Sequence, residues 1–248
     1  MNRRETYVGI LKGLSDWQPY LLAESGLPGP RGNIELAQAV ADAGDEALFT
    51  HLLTYDARRA PVNTPEEFLH FCGVMGLGKL LAAGRLDVLP TLRRCANDPR
   101  WRTREAVAMA LQRWGKTDMD AMLRAMADWS RGSLLECRAA AAAICETALL
   151  KHTQHAAAVF DILDACTSAL VSAADRRSEE FQALRKGLGY CWSVAVAAYP
   201  APGMDRMQRW LTSADKDVRW VMRENLAKNR IARLDAQWLA AARRLVER

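Results

Sequence analysis

The sequence predicts an all-α protein assembled from short, paired helices. Three observations carry that expectation. Apolar residues recur at helical spacing along most of the 248 residues, with glycine and proline falling between the periodic segments rather than inside them. Strand signals are nearly absent, with no alternating β-branched run and no Asn-Gly hairpin turn. One stretch is also used twice. "DPRWRTREAVA" at 98–108 and "DVRWVMRENLA" at 217–227 share Asp, Arg, Trp, Arg, Glu and Ala at the same six of eleven places, 119 residues apart. That separation equals three units of about 40 residues, the size of a two-helix repeat.

The helices are expected, in order, at 3–13, 16–25, 33–43 and 45–54. Between the second and third lies "SGLPGPRGN", Ser25 to Asn33, whose glycines and prolines predict a turn-rich connection ending with Asn33 as a helix cap. It lacks the GxxxxGK[ST] spacing of a phosphate-cradling loop, and no strand precedes it. The next helix, 65–83, has a clear start in Thr64-Pro65-Glu66-Glu67: a capping oxygen, proline in the first turn and acids at the positive end of the dipole. Helices at 86–96 and 99–114 follow, and the second holds the first copy of the duplicated stretch. The segment 118–130 opens with Asp118 and Asp120, placed where capping explains them. Beyond it come 133–149, 154–173, 177–198, 203–212, 216–228 and 235–247. "GSLLECRAAAAAI" (132–144) reads as a weaker copy, with Arg138 thirty-four residues after Arg104, and "FQALRKGLGYCW" (181–192) as a degenerate one. Each unit would bury one helix face on its partner and the other on the next unit.

Composition bounds the function. No apolar run reaches the roughly 18 residues of a membrane helix, the longest being the alanine-rich Ala139–Ile144. The N-terminal "MNRRETYVGILKGLSDW" does not resemble a signal peptide, so a cytoplasmic location is expected. The six cysteines (72, 95, 137, 145, 166, 191) form no CxxC pair and read as small buried thiols. His152 and His155 could share a helix face but lack acidic or thiol ligands nearby in sequence, so no metal and no cofactor is expected. There is no GxSxG, HExxH or Walker motif. Net charge is +5, yet residues 93–116 hold seven basic against two acidic side chains, and 216–248 nine against four. These stretches admit an anionic partner, nucleic acid included, through a stripe such as Arg93, Arg94, Arg100, Arg230 and Arg233.

Asp98-x5-Arg104 followed by Ala106, Val107 and Leu111, and Asp217-x5-Arg223 followed by Leu226, resemble the second helix of a HEAT repeat. The resemblance covers residues 86–248; residues 1–85 fit only by their helix pairing. It implies a right-handed α-α superhelix, one solenoid domain over 1–248. It also implies that Asp98, Arg104, Asp217 and Arg223 are structural, bonding to loops and helix ends so that adjacent repeats stay in register.

The tryptophans of the duplicated stretch need a separate reading. On a helix Trp101, Glu105, Ala108 and Gln112 share one side, as do Trp220, Glu224 and Lys228. The other side carries Thr103, Val107, Ala110, Leu111 and Trp114, and in the second copy Met222 and Leu226, the set expected to be buried. The first set would then line a concave wall that binds a protein partner. The alternative is that each Trp packs against the adjacent helix pair. A second function class comes from the HEAT-like alkylpurine DNA glycosylases, which hold a damaged nucleotide between tryptophans. Trp114-x3-Asp118 and Trp101-x2-Arg104 resemble that family's elements in reverse order, with Trp192 as a second wall. The resemblance implies Asp118 as the acid near the sugar.

Overall fold

The computed structural model describes residues 2–247. Among them are fifteen α-helices, two 3-10 turns and no strand, so the protein is all-α. The chain forms two compact units, Met1–Thr117 and Asp118–Arg248.

The first unit contains α1 (Arg3–Lys12), α2 (Gln18–Ala23), α3 (Ile34–Ala43), α4 (Glu46–Leu53), α5 (Pro65–Ala82), α6 (Leu89–Ala96) and α7 (Trp101–Gly115). Helices α1, α3, α5 and α7 pack one against the next; α2 and α4 lean on α5, and α6 on α5 and α7. Most of α5 is buried, from Glu67 through Gly78, because it has neighbours on nearly every side. A helix in that position is apolar all round rather than striped. Glycine here lies inside a helix, contrary to the sequence expectation, and the reason is close approach. A Cβ on Gly78 would come within 2.6 Å of the Ala110 Cα on α7, and one on Gly76 would collide with the Phe49 ring on α4. Asp42 on α3 receives Arg4 from α1 and Arg113 from α7 (2.8 Å), tying three helices of this layer together. Burial works against its ionisation, but these arginines outweigh it and hold its carboxyl below the usual range.

The second unit contains α8 (Met119–Trp129), α9 (Leu134–Ile144), α10 (Ala156–Ser172), α11 (Glu179–Ala198), α12 (Pro200–Leu211), α13 (Lys216–Leu226), the short α14 (Asn229–Ala232) and α15 (Ala236–Glu247). It is layered. Helices α9, α11, α13 and α15 contact in succession on one side, and α8, α10 and α12 on the other. Trp129, Phe160, Phe181 and Trp192 are fully buried between them, with Phe160 stacked on Trp192 at 6.0 Å. Each such side chain contributes about 1.5–3 kcal/mol by leaving water.

Several boundaries differ from the sequence expectation. The helix expected over 133–149 stops at Ile144. There Glu146 accepts the Ala148 amide on its side chain (3.3 Å) and the Leu149 amide on its carbonyl (2.9 Å), a turn that leaves Leu149 and Leu150 buried. Helix α12 begins at Pro200 rather than 203, since prolines in a first turn lose no helical hydrogen bond. Thr64 occupies the N-cap of α5 as expected, but its side chain makes no capping bond; the hydroxyl donates to the Pro61 carbonyl at 3.0 Å. Glu67 lies in the first turn as expected, and it is fully buried, accepting from the Asn63 amide (2.7 Å) and Arg102 (3.0 Å). One helical stretch, Thr153–Ser172, is long and apolar enough to span a bilayer by length and composition alone; it carries Asp161 and Asp164, and half of it is buried inside the protein.

Candidate binding surface on the duplicated helices

The duplicated stretch begins each time at a turn that an aspartate closes. In the first copy Asp98 accepts the Arg100 amide (2.8 Å), its Nε (2.9 Å) and its Nη2 (2.7 Å). Arg100 is 1% exposed and donates Nη1 to the Tyr55 and Ala60 carbonyls, at 2.9 and 3.2 Å. Arg100, rather than Arg104, thus reaches the α4–α5 connection. Arg104, also buried, donates to the Asp98 and Pro99 carbonyls of its own turn, at 2.8 and 3.0 Å. Burial penalises the Asp98 carboxylate, but the bonds from Arg100 prevail and keep its pKa below the ordinary value.

In the second copy Asp215 caps α13, accepting the Asp217 and Val218 amides at 2.9 and 3.2 Å. Asp217 is buried and pairs with Arg176 and Arg185, both at 2.9 Å, which come from the approach to α11 and from α11 itself. Arg219, the counterpart of Arg100, donates to the Ser213 and Ala214 carbonyls at 3.3 and 3.0 Å. Arg223 is exposed on α13. In the second copy the aspartate pairs across elements, whereas in the first its hydrogen bonds go to Arg100 of its own turn, and the two arginines at the shared repeat position also have different surroundings.

The two tryptophans also differ in exposure but share one feature. Trp101 is 44% exposed, with the Arg102 guanidinium 4.5 Å from its ring centroid. Glu105 and Gln112 follow it as half-buried residues along α7, while Ala108, placed on the same side by its spacing, is buried. Trp220 is half-buried, with the Arg185 guanidinium 3.7 Å from its ring centroid. It lies against α11 at Gly189, where a Cβ would sit 3.1 Å from its Cζ3. Glu224 and Lys228, both half-buried, pair with each other at 3.4 Å. The opposite faces are buried as expected: Thr103, Val107, Ala110, Leu111 and Trp114 in α7, Met222 and Leu226 in α13.

Sequence reasoning missed the groups that organise this surface. Tyr190 is 49% exposed on α11, with Arg230 4.6 Å from its ring centroid and donating to its hydroxyl at 2.8 Å. Beneath it, fully buried Asn225 on α13 reaches into α11. Its Oδ1 accepts the Ser193 amide at 2.7 Å, and its Nδ2 donates to the Leu188 carbonyl at 2.8 Å and the Val221 carbonyl at 2.7 Å. One side chain thus satisfies polar backbone groups of both helices. The degenerate repeat "FQALRKGLGYCW" held Arg185 and Tyr190, but neither its spacing nor composition set them apart. In the first unit Asn63, at φ 65, performs a comparable task. Its Oδ1 accepts the Gly29 amide (2.9 Å) and Arg102 (3.2 Å), joining the 25–33 connection to α7. Asn33 caps α3 as expected, accepting the Leu36 amide at 3.1 Å.

The residues drawn from the glycosylase resemblance sit as follows. Asp118 is the N-cap of α8 and accepts the Ala121 amide at 2.8 Å. Trp114 is 3% exposed. Trp192 is fully buried, donating Nε1 to the Thr167 hydroxyl at 3.1 Å. All six cysteines are free and buried, and the fold brings Cys137 on α9 to Cys166 on α10. The hydrogen bond from Cys166 lowers the Cys137 thiol, while that contact and burial push Cys166 up. His155 is buried and lies 3.1 Å from Asp120, and no group of three or more metal-ligating side chains forms among the described residues. Of the basic stretch, Arg100 is too deeply buried to meet a duplex.

Fold and surface together define a class: an all-helical protein whose duplicated helices each stack a tryptophan against an arginine. No family model, curated protein or solved structure matches the chain.

Proposed function

We propose that this chain is a HEAT-like protein, a right-handed α-α superhelix forming one solenoid over 1–248. It acts as a non-catalytic cytoplasmic scaffold and binds a protein partner through a concave wall of second helices. The observation that carries the reading is the shared arginine-on-tryptophan stack at Trp101 and Trp220, the same place in the two copies. Trp and Arg are the residues most enriched at the energetic centres of protein interfaces. The successive packing of α9, α11, α13 and α15 supports the repeat architecture.

The test is photo-crosslinking in the native cell, with benzoylphenylalanine in place of Glu105 or Glu224, and in place of exposed Ala157 on α10 as the control. Protein adducts from the first two positions and not from the control are expected. Adducts to DNA alone would favour the glycosylase-like alternative, and none at either position would refute the scaffold.

A further inference from the structure

We infer that the face of the second unit formed by α11, α13 and α14 docks an acidic polypeptide segment, with Arg185 and Arg230 receiving its carboxylates and Trp220 and Tyr190 forming the floor. The inference rests on the scaffold reading and names the partner's chemistry. Charge complementarity comes first. Arg185, Lys186, Lys228 and Arg230 gather here. Of the acids nearby, Asp217 is buried between two arginines and Glu224 is paired with Lys228. The patch therefore carries excess positive charge.

The arginines are also oriented for the task. A guanidinium lying over an aromatic ring keeps its N–H edge directed outward, and that planar fork matches a carboxylate. Arg185 is held as an ion pair with Asp217, its Nε 2.9 Å from the carboxylate without a hydrogen bond, and its two Nη groups are unengaged by any described residue. Arg230 commits Nη2 to the Tyr190 hydroxyl, leaving Nε and Nη1 unengaged in the same sense. Both side chains are held before a ligand arrives, which lowers the entropy cost of binding. The floor is equally fixed. Gly189 lets the Trp220 ring lie against α11, and Asn225 binds the α11 backbone directly beneath, at Leu188 and Ser193. An acidic peptide fits better than nucleic acid, because a phosphate backbone needs a long continuous run of cations and Arg185, Lys186, Lys228 and Arg230 form a local cluster instead.

The test uses the full-length protein and fluorescence anisotropy of a fluorescein-labelled oligo-glutamate peptide at low ionic strength. Saturable binding that weakens with salt is expected. The double variant Lys186→Gln, Arg230→Gln should lose about tenfold in affinity with its melting temperature unchanged. The patch proposal is overturned by no saturable binding, by binding that the double variant leaves intact, or by duplex DNA binding more tightly at the same residues. Protein adducts at Glu224 in cells combined with no oligo-glutamate binding would sink the acidic class and leave the scaffold standing.

Discussion

His70 makes stability in the first unit depend on pH in a window that can be worked out in advance. Its ring is buried on α5. Burial disfavours the imidazolium, and the Arg100 cation adds to that. Asp98, 3.8 Å away, the Leu53 backbone and Asp56 pull in the opposite direction and lose, so the pKa falls from 6.5 to about 4. The unfolded chain therefore takes up this proton before the folded one does. The contribution is fully present above pH 6.5 and is lost progressively as pH falls towards 4. At about 1.4 kcal/mol per pKa unit, the loss comes to about 3 kcal/mol. Asp98, whose pKa is also depressed, acts with the same sign but lower, below the ordinary carboxylate value. Urea unfolding of the wild type and of His70→Leu, at steps from pH 7.5 down to 4.5, isolates the histidine. The wild type should lose roughly 2–3 kcal/mol more than the variant over that range. Parallel stability curves would refute the reasoning, because they would mean that His70 charges as readily folded as unfolded.

Other substitutions separate scaffold from site. Arg104→Ala should cost roughly 1–3 kcal/mol by leaving carbonyls of a buried turn unpaired, whereas Arg223→Ala should stay within about 0.5 kcal/mol, read by thermal melts. Asn225→Leu strands the Ser193 amide and should cost about 2–4 kcal/mol, with faster hydrogen exchange at Ser193; unchanged exchange would show the contact to be idle. Trp114→Ala should destabilise by about 3–5 kcal/mol and Asp118→Asn by less than about 1 kcal/mol. Purified protein should release no base from methylated DNA, and release abolished by Asp118→Asn with melting unchanged would establish the alternative.

The sequence by itself determined the helical class and nearly every helix, because helix periodicity and cap residues are local properties of the chain. Asn33 and Asp118 cap helices where their positions predicted, and the face of α7 marked by Val107, Leu111 and Trp114 is buried. Spacing alone could not show that glycines inside α5 serve close packing, since only the approach of Phe49 and Ala110 makes the missing Cβ necessary. Nor could the motif identify its own bonds. It marked Asp98 and Asp217, but whether the aspartate meets an arginine of its own turn, as Asp98 meets Arg100, or arginines of a neighbouring element, as Asp217 meets Arg176 and Arg185, depends on the tertiary surroundings of each turn. The surface of Trp220, Tyr190, Arg185 and Arg230 joins residues from three helices. Their stacking arises from tertiary distance, which no periodicity along one helix encodes.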